Sequence, residues 1–303
     1  MLTIFFVIIK WLAQLEEEDV ERRNHIAPYA LLCVAGVYTL TLKVTAGLIL
    51  ILLIKPAYML IKQKKWKEIA IYLTLGLLVA VPWFTRNVLI TGWLLYPFPA
   101  IDLFHVDWKM TDVSEIIVDA ELIKVYGKGM QDVGINVPLT KWYPHWFSTQ
   151  LFKLEKVLIL AALLACVLVI GNTLCIFIKK KWEKLDILLV MVTVMCSYLF
   201  WQFSAPLMRY GYAHVLLLVA LVYGCIVEAL PKVKQFKMTG AVYVALFAFL
   251  VYKLSLGVVY IYDNFTWLNF VWQETYETYE VEAYEVDGVT LYYSVDSGLS
   301  GYD

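Results

Sequence analysis

Residues 82–108 read PWFTRNVLITGWLLYPFPAIDLFHVDW. An apolar run stops at Pro82 and an arginine follows at position 86. Then come a Thr-Gly turn, a Tyr-Pro-Phe-Pro break, and the cluster Asp102, His105, Asp107. The chain before this stretch is apolar over membrane-spanning lengths. The chain after it, as far as residue 152, carries the charges, glycines and prolines of a water-facing loop. This boundary sets the fold class: an all-α polytopic transmembrane bundle, with an outer loop at 86–152 where chemistry at a bilayer surface would be concentrated.

Composition agrees. Of 303 residues, 61% are apolar and 17% charged, against about 45–50% and about 25% in soluble domains. Mean hydropathy is +0.70. The net charge of −1 hides a sorting of charge by side, and no nucleic-acid partner is expected. The five cysteines, Cys33, Cys166, Cys175, Cys196 and Cys225, all lie in apolar runs, so they read as small hydrophobes rather than disulfides or a metal site. Residues 1–15 lack the basic start and the small-residue cleavage site of a signal peptide.

Working outward, residues 26–63 are apolar except for Lys43 near the middle. One straight helix of that length would reach about 55 Å, too long for a hydrocarbon core of about 30 Å. Two helices, 27–42 and 44–60, turning at Lys43, fit better. Further spans read at 69–84, stopped by Pro82, and at 157–178, 186–203, 212–230 and 241–262. Residues 1–15 are below the minimum of about 17 for a span and read as the second half of a helix. The expectation is eight spans with the first incomplete, in the C-terminal portion of a longer protein.

Lysines set the orientation. Lys62, Lys64, Lys65 and Lys67, then Lys179, Lys180, Lys181 and Lys184, then Lys232, Lys234 and Lys237 fall in three short connections. Positive connections face the cytoplasm, so loop 86–152, the turn SAPLMRYG at 204–211 and the tail lie outside the cytoplasmic (inner) membrane. The tail agrees: no Lys or Arg follows Lys253, while glutamates accumulate. Residues 1–262 are then a transmembrane domain, and 263–303 an extracytoplasmic tail whose Asp287-Gly288, between alternating runs, predicts a small β-hairpin.

Within the outer loop, Thr111 or Asp112 can cap a helix that places Val113, Ile116, Ile117, Ala120 and Ile123 on one face. Gly127, Gly129 and Gly134 end it. The aromatic run KWYPHWF at 141–147 breaks at Pro144.

Several residues suit chemistry at this surface. Arg86 and Arg209 are either snorkelling anchors or clamps for a lipid-linked phosphate, which a guanidinium binds bidentately. Asp102 and Asp107 are either solvated loop charges or a general base for an acceptor hydroxyl. They can equally hold a divalent metal together with a phosphate. Asp107 is favoured because Trp108 beside it offers a face on which a sugar ring can stack. His105, Tyr96 and Tyr210 flank these groups. Lys43, Lys253 and His214 are ionisable positions in or near apolar spans, where such groups default to a functional reading. No P-loop, GxGxxG, HExxH or GxSxG pattern is present, and the cytoplasmic connections are too short for a nucleotide-binding domain.

In the run PWFTRN followed by TGWLLYP (82–97), in the Arg-Tyr of PLMRY (206–210), and in residues 35–47 with Lys43, the sequence resembles bacterial membrane proteins of the GT-C glycosyltransferase superfamily. The resemblance implies transfer of a sugar from a polyprenyl-phosphate donor at the outer face of the membrane, with inversion. Arg86, Arg209 and Lys43 would hold the donor phosphate. The family places its base carboxylate in the first outer loop after the first span. This chain begins beyond that point, so Asp102 or Asp107 would have to take the role. A polysaccharide polymerase or other lipid-linked glycan handler, a transporter, and a non-catalytic membrane protein are the other classes. Few polar residues along the spans and no inverted repeat count against the transporter.

Overall fold

The structure is a computed structural model describing residues 2–17, 19–96, 98, 101–109, 113–130, 137–264, 281–286 and 289–294. The chain divides into two compact units, Met1–Leu230 and Pro231–Asp303. In the first unit, helices α1 (Leu2–Leu15), α2 (Val20–Arg23) and α3 (Ile26–Leu42) lead to a 3-10 helix (Val44–Leu53) that continues into α4 (Ile54–Lys62). Then follow α5 (Trp66–Thr91), α6 (Val113–Lys128), α7 (Leu139–Thr149), α8 (Lys153–Ile178), α9 (Leu185–Ser204) and α10 (Met208–Glu228).

Seven helical segments among the described residues are long and apolar enough to cross a membrane; α1 is apolar but shorter. The protein is an integral, multi-pass membrane protein by architecture. Its core joins α1, α3, the 3-10 helix, α8, α9 and α10 around Trp11, Tyr29, Tyr198 and Trp201, all fully buried. Trp146 of α7 closes one end of that core.

The chain breaks at Lys43, as the length argument requires. Lys43 is extended (φ −157°, ψ 120°) and its N–H still bonds Thr39 O at 3.1 Å, ending α3. Ala46 N–H then bonds back to Lys43 O at 2.9 Å and opens the 3-10 helix. The sequence explains this winding. Ala46, Ile49 and Leu52, three residues apart, are its buried positions, and only a three-residue turn stacks that spacing on a single ridge. The ridge packs between α3 and α9. At about 2.0 Å per 3-10 residue and about 1.5 Å per α residue, the 19-residue segment Val44–Lys62 reaches about 33 Å, enough for a bilayer core.

Proline is where sequence and structure part. Pro82 does not stop its helix: α5 runs through it to Thr91 and ends at Gly92, whose φ of +74° and N–H bond to Val88 O at 2.8 Å form a left-handed cap. A single proline removes one intrahelical bond, and an apolar span absorbs that loss locally. Val88, Leu89 and Ile90 therefore stay helical, and Arg86 sits on a helix rather than in a loop. Pro144 likewise lies inside α7, where Trp142 and Trp146, one turn apart, are both buried and hold the helix in place. Gly127 does not end α6. It lies against the backbone of Ala205, where an added Cβ would come within 2.8 Å of the Ala205 Cα, and Gly129 (φ +66°) makes the stop. Of the apolar face expected for α6, Ile116 is buried while Ile117 and Ile123 are exposed, and the inward stripe runs on through Val125. The proposed caps Thr111 and Asp112, and Gly134, lie outside the described residues.

Helix α5 packs on α3 and α4 and buries only Ala80. Between these three helices lies an apolar cavity of about 330 Å³, lined by Cys33, Val37, Leu60, Leu73 and Ala80 among others, with no charged side chain.

The second unit contains α11 (Lys232–Asn264) and the antiparallel strands β1 (Val281–Val286) and β2 (Val289–Ser294), with Val281 opposite Ser294 and Val286 opposite Val289. Asp287 and Gly288 lie outside the described residues.

Candidate functional site

The start of α10 is held by two buried indoles. Pro206 cannot donate a backbone bond, and the carbonyls around it are taken up from the side: Trp146 Nε1 donates to Pro206 O at 2.9 Å, and Trp201 Nε1 to Leu207 O at 3.3 Å. The two rings pack edge to face at 6.4 Å. Gly211 lies so close to the Trp201 ring that no side chain fits. This clamp fixes the first turn of α10 and with it Arg209 and Tyr210.

Tyr210 carries two cations. Lys43 Nζ sits 3.0 Å from the centre of its ring, and the Arg209 guanidinium lies 4.7 Å from the same centre. Cation–π attraction accounts for both positions. Among the described residues neither Lys43 nor Arg209 makes an ion pair. Partial burial, and then the Arg209 charge, lower Lys43 to about 8. The cluster is a concentration of positive charge with no ion-pair partner among the described residues.

One turn further along α10, His214 is fully buried with neither ring nitrogen hydrogen-bonded, and it is within electrostatic reach of Lys43. Thr45 Oγ1, two residues beyond Lys43, and Gln202 Nε2 on α9 are also buried without partners. Such groups are rare in folded proteins and mark places where water or a ligand is required.

Among the described residues, the other residues singled out from the sequence make no ion pair or cation–π contact with Lys43, Tyr210 or Arg209. Arg86 is exposed on α5 and makes no ion pair among the described residues. Asp102 is engaged by Lys109, whose ammonium also donates to Phe104 O at 2.8 Å and lies 3.9 Å from the Trp93 ring centre. Lys109 thereby ties the loop together. Asp107, His105 and Trp108 are exposed. Tyr96 donates its hydroxyl to Asp119 of α6, a bond that raises the phenol's pKa. The Lys253 side chain lies outside the described residues. Among the described residues no group of three or more His, Cys, Asp or Glu converges to hold a metal ion.

Sequence reasoning passed over Glu155. Its carboxylate is buried at the start of α8, where one oxygen accepts from the Phe152 N–H at 2.8 Å and the other from the Tyr212 hydroxyl. An acid at the third residue of an apolar helix is the spacing that signals such a cap.

A family model described as a domain of unknown function (DUF8201) matches residues 1–216. The chain belongs to that family. The DUF8201 match runs from α1 into α10 and includes Lys43, Glu155, Arg209, Tyr210 and His214; α11 and the strands lie beyond it. Comparison with curated proteins and with solved structures returns no match.

Proposed function

We propose that this DUF8201 protein binds the phosphate of a lipid-linked sugar at the Lys43–Tyr210–Arg209 cluster and acts as a GT-C-like glycosyltransferase. The observation that carries the reading is the pair of unpaired cations sharing one tyrosine ring. A phosphate between them would meet two charge-assisted donors at once. On this reading the lysine-rich turns face the cytoplasm, and the cluster and the 92–152 loop face outward across the inner membrane. The apolar cavity beside α3 suits the donor's isoprenoid tail.

In the transfer, an acceptor hydroxyl oxygen forms a bond to the anomeric carbon while the bond from that carbon to the phosphate oxygen breaks. The polyprenyl phosphate leaves with the electron pair, which Lys43 and Arg209 stabilise. The acceptor's proton passes to a carboxylate. Asp107, exposed beside Trp108, suits that role better than Asp102, which Lys109 neutralises. Were a divalent metal used, Asp107 would supply it an oxygen ligand and the metal would offset the phosphate charge. Arg86, exposed on α5 and without an ion pair among the described residues, is read as an interfacial anchor.

The test is binding in nanodiscs. Polyprenyl phosphate should be retained and the uncharged polyprenol should not, and Arg209→Ala should abolish the difference. Equal retention of both lipids by the wild-type protein overturns the reading. Phosphate-dependent binding without sugar transfer from any polyprenyl-phosphate sugar would leave a lipid-handling protein and remove the transferase.

A further inference from the structure

The first unit contains the same turn twice. Residues 61–66 (IKQKKW) end α4 and open α5; residues 177–182 (FIKKKW) end α8 and lead towards α9. In both, the residue that caps the helix (Gln63, Lys179) has φ near −87° and a lysine follows in the left-handed region, Lys64 at φ +54° and Lys180 at +52°. A second lysine follows at φ −84° in each case, and then a tryptophan. The hydrogen bonds repeat as well. Lys65 N–H bonds Leu60 O and Lys181 N–H bonds Ile176 O, both at 3.0 Å, while Lys64 N–H and Lys180 N–H close on Ile61 O and Phe177 O.

Among the described residues these two lysines are the only non-glycines with positive φ. Helices that end this way use glycine, because a Cβ is disfavoured there. Lysine in that place weakens both turns with no compensating ion pair among the described residues, and both side chains are exposed. Strain repeated at matching places points to use outside the chain. The surroundings say what kind. Lys62 and Lys67 at one turn, and Lys179, Lys181 and Lys184 at the other, are likewise free of ion pairs among the described residues; Lys65 alone is paired, with Glu68 at 2.9 Å. Trp66 and Trp182 are 62% and 51% exposed at the ends of apolar helices, where indoles settle at headgroup depth.

We infer that the two Lys-Lys-Trp turns are a duplicated binding site for the phosphate of anionic phospholipid headgroups, separate from the Lys43–Arg209 cluster. Lys64 and Lys180 meet the phosphates and the tryptophans fix the depth. Clustered lysines beside a span attract anionic lipid on general electrostatic grounds. The repeated left-handed lysine makes the attraction local.

The experiment compares the full chain in nanodiscs of phosphatidylcholine alone and of phosphatidylcholine with phosphatidylglycerol, reading Tm and the lipids retained in native mass spectrometry. The wild type should gain Tm and retain phosphatidylglycerol in the mixed discs. The double variant Lys64→Gly, Lys180→Gly relaxes both turns, so it should match or exceed the wild-type Tm in phosphatidylcholine while losing the gain. Lys64→Asn with Lys180→Asn, which keeps a side chain that tolerates the left-handed region, should lose the gain too, and it decides the matter if the glycine variant fails to fold. An undiminished gain in either folded variant overturns the proposal. So does an equal gain from inorganic phosphate added to phosphatidylcholine discs, which would make the turns a free-anion site.

Discussion

Two lysines flank the 3-10 helix Val44–Leu53 and meet opposite fates. Lys55, in α4, lies 4.3 Å from the Tyr29 ring centre and 2.6 Å from an Asp186 oxygen. Lys43, where the segment begins, lies over the Tyr210 ring and beside Arg209, with no carboxylate. Each is an ammonium on an aromatic face. One is neutralised and serves the fold, tying α4 to the start of α9. The other is left charged beside a second cation. Among the described residues an aspartate stands opposite Lys55 and none opposite Lys43, and on the proposed reading an anion from outside takes that place.

The comparison breaks most severely at the indole clamp. Trp201→Ala should cost about 3–5 kcal/mol, the scale of truncating a buried large aromatic. It should release α10 and with it ligand binding, read by thermal unfolding and lipid retention on the same sample. Arg209→Ala should leave the fold intact and weaken polyprenyl-phosphate binding by about 10–100-fold, the range for one lost charge-assisted contact. Lys55→Met should leave that binding unchanged. If Lys55→Met weakens it as much as Arg209→Ala does, the two ends are not functionally distinct.

A subtler difference is in pH. Partial burial, and then the Arg209 charge, hold the pKa of the Lys43 ammonium in the folded chain at about 8, below the 10.5 of an ordinary lysine. In that window the unfolded chain binds more protons. The ligand-free fold therefore gains stability as pH rises from about 8 towards 10.5, and Lys43→Met should flatten that rise. Anion binding runs the other way, weakening above about pH 8, and Lys43→Arg, which keeps its charge, should remove that fall. The smallest effect belongs to Asp186→Asn. Asp186 is 53% exposed and the Lys55 side chain 9%; water screens the carboxylate and the Tyr29 ring still faces the ammonium, so the loss is about 1–2 kcal/mol, measurable as a drop in Tm.

Much of the fold was legible in the sequence because it depends on length and hydropathy. The break at Lys43 followed from the arithmetic of helix rise against bilayer thickness, and the apolar runs located the long helices. What could not be read depends on neighbours distant in sequence. Pro82 and Pro144 look like stops, yet each helix continues, α7 because Trp142 and Trp146 are buried on either side of its proline. The site was legible in part. Lys43, Arg209 and Tyr210 stood out as charges and an aromatic at span ends, but their convergence depends on Trp146 and Trp201 holding α10. Asp102 looked available until Lys109 was found upon it, and Glu155 was hidden among apolar residues.

The winding of Val44–Leu53 links the two lysines mechanically. A 3-10 helix turns about 120° per residue and an α-helix about 100°, so rewinding these ten residues into α form would shorten the segment by about 5 Å and swing one end about 200° against the other. Asp186 moors Lys55, so the travel would fall on Lys43 and carry it off Tyr210. If the proposed ligand at Lys43 favours one winding, the segment would act as a screw with one end fixed, and a spin-label distance between positions 43 and 55, with and without polyprenyl phosphate, would change.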